Sequence, residues 1–289
     1  MADLINKKII SSLFPKRIQN SHKYTNGKIL NVAGASIYPG AAYLSSISPL
    51  KIGAGFVALA CVKSIIHSIV TMSPEITFIP LNEDESGCID SNNEINDLIS
   101  FNVISIGCGI TTNLSTEKFI IDLLSKINER QRVIIDADGL NILSVQKNEI
   151  SLKNVIITPH EKELARLLNV SVAEVHDNRE KYARIMSQTH ECITVLKGKN
   201  TIITDGVKMY INTTGNSALA KAGTGDVLTG IISGLLAQKL KPLDAAIVGV
   251  YIHGLAGDIA SSVLSEYSVM ASDVINYLPY AIKKIIVDE

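Results

Sequence analysis

Apolar residues along this chain gather in short, nearly unbroken runs. "KILNVA" (28–33), "GFVALA" (55–60), "NVISIG" (102–107), "RVIIDAD" (132–138), "NVIITP" (154–159) and "CITVLKG" (192–198) are rich in β-branched residues and hardly alternate with polar ones. A strand that buries one face alternates; a strand covered on both faces does not. The runs therefore predict a parallel sheet with helices on both sides.

Between most of these runs the apolar spacing lengthens to that of a helix. "STEKFIIDLLSKINE" (115–129) places Phe119, Ile120, Leu123, Leu124 and Ile127 on one stripe, with Ser115 as a candidate N-cap. "HEKELARLLN" (160–169) starts directly after a strand and Pro159. Such alternation builds βαβ units. After Gly198 the pattern changes. "NTIITDGVKMYINT" (200–213) reads as two strands joined at Asp205-Gly206, a two-residue hairpin signal. The remainder reads as helices over 225–238, 242–264 and 272–286. The expected fold class is α/β, a three-layer α/β/α sandwich with a mostly parallel central sheet and an antiparallel edge hairpin. No linker, charge block or fixed-period repeat interrupts the chain, so residues 1–289 are expected to form one domain.

Composition agrees with a globular chain that buries a large core: 289 residues, 46% hydrophobic and 19% charged. The net charge is -1 and no basic stripe is present, so no nucleic-acid partner is expected. Cys61, Cys88, Cys108 and Cys192 form no CxxC pair and accompany no His cluster. They read as buried thiols in a reducing compartment, and no metal-ligating residue is assigned. Lys7, Lys8, Lys16 and Arg17 interrupt the first twenty residues, which lack a signal-peptide core. The longest apolar runs fall short of the ~20 residues that span a bilayer. The expectation is a cytoplasmic protein with no membrane partner.

In open α/β sheets, ligands bind at the carboxyl ends of the strands. Small, polar segments follow the runs there: "GASIYPGAA" (34–42), "GCGITTN" (107–113), "DADGLN" (136–141), "TPHEKE" (158–163) and "KGKNT" (197–201). No GxxxxGK[ST] occurs. "GCGITTN" lacks the third glycine of a dinucleotide fingerprint, and "GAGFVALA" leads into a strand. "AGTGDVLTG" (222–230) is the stronger signal. Gly223 and Gly225 permit a sharp turn, and the amides opening the next helix then point outward, ready for an anion. Gly230 and Gly234 would let one face of that helix pack closely on the sheet.

Single residues here keep two readings. Asp226 complements the helix dipole, or it takes a proton from a hydroxyl attacking a bound phosphate while the amides stabilise the developing charge. His160 is a helix-terminal residue or a ligand contact. Lys197 is a solvated strand-end lysine or a ligand contact. Asp136 and Asp138 cap the following helix, with Asn141 satisfying buried backbone, or they join a site. His253 and Asp258 read as packing residues, with Gly254 and Gly257 permitting close approach.

"AGTGDVLTG" resembles the anion-hole and catalytic-aspartate motif of the ribokinase-like superfamily. Further blocks resemble the ADP-dependent NAD(P)H-hydrate dehydratase family: "SHKYTNGKILNVAGA" (21–35), "GAAYLSSISPLKIGAGFV" (40–57), "VIIDADGLN" (133–141), "TPHEKELARL" (158–167), "VLKGKNTIITDG" (195–206), "VYIHGLAGDIA" (250–260) and "ASDVINYLP" (271–279). They occur in family order and cover nearly the whole chain after residues 1–20, an N-terminal extension. The resemblance implies a ribokinase-like fold and a repair lyase. Such an enzyme returns the S epimer of hydrated NADH or NADPH to the reduced nucleotide and converts ADP, or ATP, to the shorter nucleotide and phosphate. A vitamin-precursor kinase is the alternative on the same motif.

By position, the resemblance implies Asp226 as catalytic base. It implies an anion hole of Gly223, Thr224, Gly225 and Asp226. It gives Ala41, Gly109, His160 and Asp226 to the hydrate. It gives Lys197, Gly198, Lys199, Asn200, Thr201 and Gly225 to the adenine nucleotide. It further implies Mg²⁺ held mainly through phosphates, a homotetramer, and a separate epimerase chain acting on the same hydrate. The sequence departs from the family at Cys108, where proline is usual, at Glu161-Lys162-Glu163 in place of Pro-Gly-Glu, and at Gly139 in place of alanine.

Overall fold

A computed structural model describes residues 2–146 and 150–286. Its strands are β1 (Asp3–Leu4), β2 (Lys28–Val32), β3 (Phe56–Val62), β4 (Thr77–Leu81), β5 (Val103–Ile106), β6 (Arg132–Ile135), β7 (Ile156–Ile157), β8 (Ile193–Leu196), β9 (Thr201–Thr204) and β10 (Met209–Asn212). They form one sheet in the order β1-β10-β9-β8-β7-β6-β5-β2-β3-β4. β9 runs against both neighbours, and every other pairing is parallel. The chain works outward from β2 to β4, then returns to the other side of β2 as β5. That reversal is the switch point where a ligand crevice opens in such sheets.

The helices are α1 (Lys7–Leu13), α2 (Pro39–Ile52), α3 (Lys63–Val70), α4 (Leu114–Lys126), α5 (Asp138–Val145), α6 (Glu161–Leu168), α7 (Val172–Asp177), α8 (Arg179–His190), α9 (Thr224–Ala237), α10 (Pro242–Leu264) and α11 (Ala271–Ile286). Successive strand residues point to opposite faces. Ile29, Ile134, Ile156 and Ile203 join a core with residues of α9, α10 and α11. Leu30, Ile135, Ile157 and Ile202 join a second core with Phe119, Leu164 and Met186. Both faces are therefore covered, which is why the strand sequences do not alternate. Each such buried aliphatic side chain contributes roughly 1.5–3 kcal/mol.

Several expectations need correction. At the N-terminus, β1 pairs with β10, and α1 packs on α10 and α11. The hairpin therefore sits one strand in from the edge. Its loop is the four residues 205–208, because Thr204 pairs with Met209 and Asp205 Oδ1 accepts the amides of Val207 and Lys208 at 2.9 and 2.7 Å. That local bonding favours a wider turn than the dipeptide alone suggests. The cap of α4 is Asn113, whose side chain accepts the Thr116 amide at 2.8 Å, and not Ser115. Gly230 and Gly234 meet α2 rather than the sheet. A Cβ on either would lie 2.7 Å from Ser48 Cβ or 2.3 Å from Ile52 Cγ2. The four cysteines are free and buried, as expected.

α10 is 23 residues long with a mean hydropathy of 1.5 over its most apolar window. It is long and apolar enough to cross a membrane by length and composition. Here it packs against α9, α11 and the β8–β10 side of the sheet.

Gly107, just past β5, has φ +125°, and a Cβ there would sit 1.9 Å from the Asp136 carbonyl oxygen. Only glycine lets the turns after β5 and β6 approach this closely. Gly107→Ala is expected to destabilise the fold by about 1–3 kcal/mol or more, read as a lower urea midpoint.

Candidate active site

The carboxyl ends of β5, β6, β7 and β8 converge with the first turn of α9. Lys197, immediately after β8, is the centre of this cluster. Its Nζ lies 2.6 Å from Asp136 Oδ1 and 3.9 Å from Glu163 Oε2. The other Asp136 oxygen accepts the Thr229 hydroxyl of α9 at 2.7 Å. Asp136 is almost wholly buried. Burial pulls the Lys197 ammonium down, but Asp136 and Glu163 outweigh it and hold the group above its ordinary value. Lys197 is thus a partly buried ion-pair partner and not a solvated lysine.

His160 is the N-cap of α6. Its Nδ1 accepts the Glu163 amide at 3.1 Å, and the His160 amide donates to Glu163 Oε2 at 2.7 Å. This reciprocal capping box leaves half of the imidazole exposed toward solvent. Burial, then Lys197, lowers the His160 pKa. Glu163 is pushed up to about 7, chiefly by burial, with Lys197 opposing. Glu161 places no unpaired charge beside the site: it pairs with Arg179 at 3.1 Å and His176 at 3.0 Å.

Asp136 and Asp138 do not cap α5. Its N-cap is Ala137, at φ +48° and without a side-chain cap bond. Asp138 Oδ2 accepts the Thr111 amide at 2.9 Å, and Asn141 Oδ1 accepts from Arg166 at 2.8 Å. The two aspartates tie the loops after β5, β6 and β8 together.

α9 opens at Gly223, at φ +90°, with no side-chain cap. The Thr224 amide reaches the Lys221 carbonyl at 3.4 Å, and Val227 bonds to Gly223 at 3.1 Å. Among the described residues, the amides of Gly223, Gly225 and Asp226 meet no protein acceptor. That is the open helix terminus an anion needs. A Cβ on Gly225 would lie 3.7 Å from Lys197 Nζ and 3.8 Å from Asp136 Oδ2, so the turn and the ion pair face one space.

Asp226, half-buried, sits in the third position of that helix. Burial raises its carboxyl to about 6; a hydrogen bond from the Cys108 thiol and the Lys197 charge oppose, while Asp136 and Asp138 add to the rise. A carboxylate near neutrality is poised to take up and release a proton. Gly109 follows Cys108 at φ +66°, and a Cβ on it would lie 2.8 Å from Ala41 Cβ. Ala41 and Gly109 thus lie against each other. Behind the turn, His253 is buried, its ring contacting the Thr224 backbone with Nε2 unpartnered, and burial lowers it to about 4. Asp258 does not meet His253; it binds the Gly215 amide and Asn216.

Among the described residues, no three His, Cys, Asp or Glu side chains group to hold a metal ion. Both Asp136 oxygens are engaged, while Asp138 Oδ1 makes only a 3.4 Å contact to Asn141. Such a sparse, hard-oxygen set suits magnesium held largely by a ligand's phosphates.

The family profile for NAD(P)H-hydrate dehydratase matches residues 29–280. The chain belongs to the NAD(P)H-hydrate dehydratase family. It is 32% identical over 277 residues to the ADP-dependent (S)-NAD(P)H-hydrate dehydratase of Bacillus subtilis, covering 95% of this chain and 96% of that protein. It is 34% identical over 282 residues to the bifunctional NAD(P)H-hydrate repair enzyme Nnr of Moorella thermoacetica, covering 95% of this chain and 52% of that protein. The chain thus spans about half the length of such bifunctional relatives. The crystal structure of the ADP/ATP-dependent Bacillus subtilis dehydratase, grown with ATP and Mg²⁺, superposes with a TM-score of 0.85 at 29% identity. It covers 98% of this chain and 99% of that one.

Cys108, buried beside Asp226, bears on that carboxyl's ionisation. Removing the thiol donor in Cys108→Ala is expected to move the Asp226 titration above about 6, because a bond to the charged form is lost. Carboxyl-carbon NMR of the folded variant against pH checks this, with Asp226→Asn assigning the signal.

Proposed function

We propose that this chain is an ADP-dependent dehydratase of (S)-NADH-hydrate and (S)-NADPH-hydrate, restoring NADH and NADPH with release of AMP and phosphate. One observation carries the reading: Asp226 stands at an open helix N-terminus that shares a space with Lys197. Membership of the dehydratase family supplies the substrate class.

Water is a poor leaving group, whereas phosphate is a good one. Asp226 takes the proton of the ring hydroxyl, whose oxygen attacks the terminal phosphorus of ADP. The phosphoanhydride bond breaks and AMP departs. The amides of Gly223, Gly225 and Asp226 stabilise the charge on the transferring group, with the Thr224 backbone completing the turn. The ring-nitrogen lone pair then expels phosphate, and loss of the neighbouring carbon's proton restores the dihydronicotinamide. Ala41, Gly109 and His160 seat the hydrated nucleotide. Lys197 through Thr201, with Gly225, seat the adenine nucleotide. Magnesium, when bound, neutralises phosphate charge, with Asp138 the carboxylate left to supply a protein ligand.

The same reading takes in ATP as an alternative donor, a homotetramer, a cytoplasmic setting and a separate epimerase acting on the R epimer. These rest on the family resemblance.

Incubation with NADH-hydrate and ADP is expected to regenerate the absorbance of NADH. No regeneration with ADP or ATP would overturn the reading, and a stable phosphate ester would indicate a kinase. Asp226→Asn is expected to lower turnover about 100- to 10,000-fold with ADP binding intact; near-normal turnover would remove Asp226 as base. Because the base works ionised, turnover is expected to rise with pH through about 6 and fall below it.

A further inference from the structure

Arg179 opens α8, where a cation opposes the helix dipole. Its position is explained by what it touches. Nη2 donates to the carbonyls of Leu196 at 3.2 Å and Lys197 at 3.0 Å, and Nη1 donates to the Lys199 carbonyl. Nε lies 3.1 Å from Glu161 Oε1 as a charge contact, without a hydrogen-bond partner. The side chain is 18% exposed. Gly198, at φ +132°, permits the approach: a Cβ there would lie 3.0 Å from Nη2.

A turn whose carbonyls converge on one cation leaves its amides to other partners. Among the described residues, the amides of Gly198, Lys199 and Asn200 donate to no protein acceptor. Asn200 is left-handed at φ +56°. Successive unpaired amides in a turn of mixed handedness bind anionic oxygens.

We propose that Arg179 is the positioning residue of the nucleotide turn, holding three carbonyls inward so that the 198–200 amides stay free for the polar groups of an adenine nucleotide. Through Glu161 it also ties that turn to the first residue of α6, beside His160. The proposal rests on the reading that residues 197–201 bind the nucleotide. Lysine does not substitute, because a single ammonium lacks the planar fork that reaches several carbonyls at once.

The test is calorimetric titration of the full chain with ADP, for wild type, Arg179→Ala and Arg179→Lys, with thermal melts and steady-state kinetics. Both variants are expected to fold. The Kd and KM for ADP should rise about tenfold or more in Arg179→Ala, and severalfold in Arg179→Lys. The KM for the hydrate should not change. Should Arg179→Ala fail to fold, Arg179→Lys decides. Wild-type ADP affinity in a folded variant overturns the proposal, and so does unfolding of both variants, which would make the role merely structural. A wild-type chain that binds no ADP overturns the nucleotide-site reading itself and the proposal with it.

Discussion

The site depends on one partly buried ion pair, Lys197 with Asp136 at 2.6 Å. The two residues end strands that flank β7, so the pair bridges the sheet's carboxyl edge. Asp136 also accepts from Thr229, one turn into α9. A single carboxylate thus fixes the open end of α9 against the strand ends. Removing Lys197 would leave the buried Asp136 charge without its counter-ion, a destabilising loss. The pair also sets the local field: Asp136 favours a protonated Asp226 and Lys197 an ionised one.

The rest of the architecture brings distant segments to that point. Parting of the chain at β2 and β5 opens a crevice. Ala41 enters it from α2 and Gly109 from the turn after β5. α9 is held from behind by α2, which its two small residues approach closely. Asn31, in β2, donates to Ser45 and Ser46 of the same helix at 2.8 and 2.9 Å. The anion-facing turn therefore stands on a packed, hydrogen-bonded base, so its amides need little rearrangement when charge develops.

Much of this was legible in the sequence. Unbroken β-branched runs marked the strands, since doubly buried strands leave no other pattern. "AGTGDVLTG" marked the anion turn, because few chains place two glycines and an acid before an apolar helix. The missed features were those decided by tertiary partners. Two-residue β1 is too short for periodicity to register. Nothing local says that Asp136 would meet Lys197, 61 positions away, in place of capping α5. Glu163 was visible as the third residue after His160, the spacing of a capping box, but its approach to Lys197 was not. Arg179 carried no signal at all, being one polar residue in a polar helix.

The ends of the sheet have their own logic. β1 covers β10 and presents an outer edge of only Asp3 and Leu4. The opposite edge, β4, carries Pro80, which has no amide hydrogen to offer. Long, flat outer strands recruit other chains into runaway sheet growth. Here one margin is too short to act as a template and the other has a gap in its row of donors. Among the described residues, β1 thus replaces the longer edge of β10 with a shorter one.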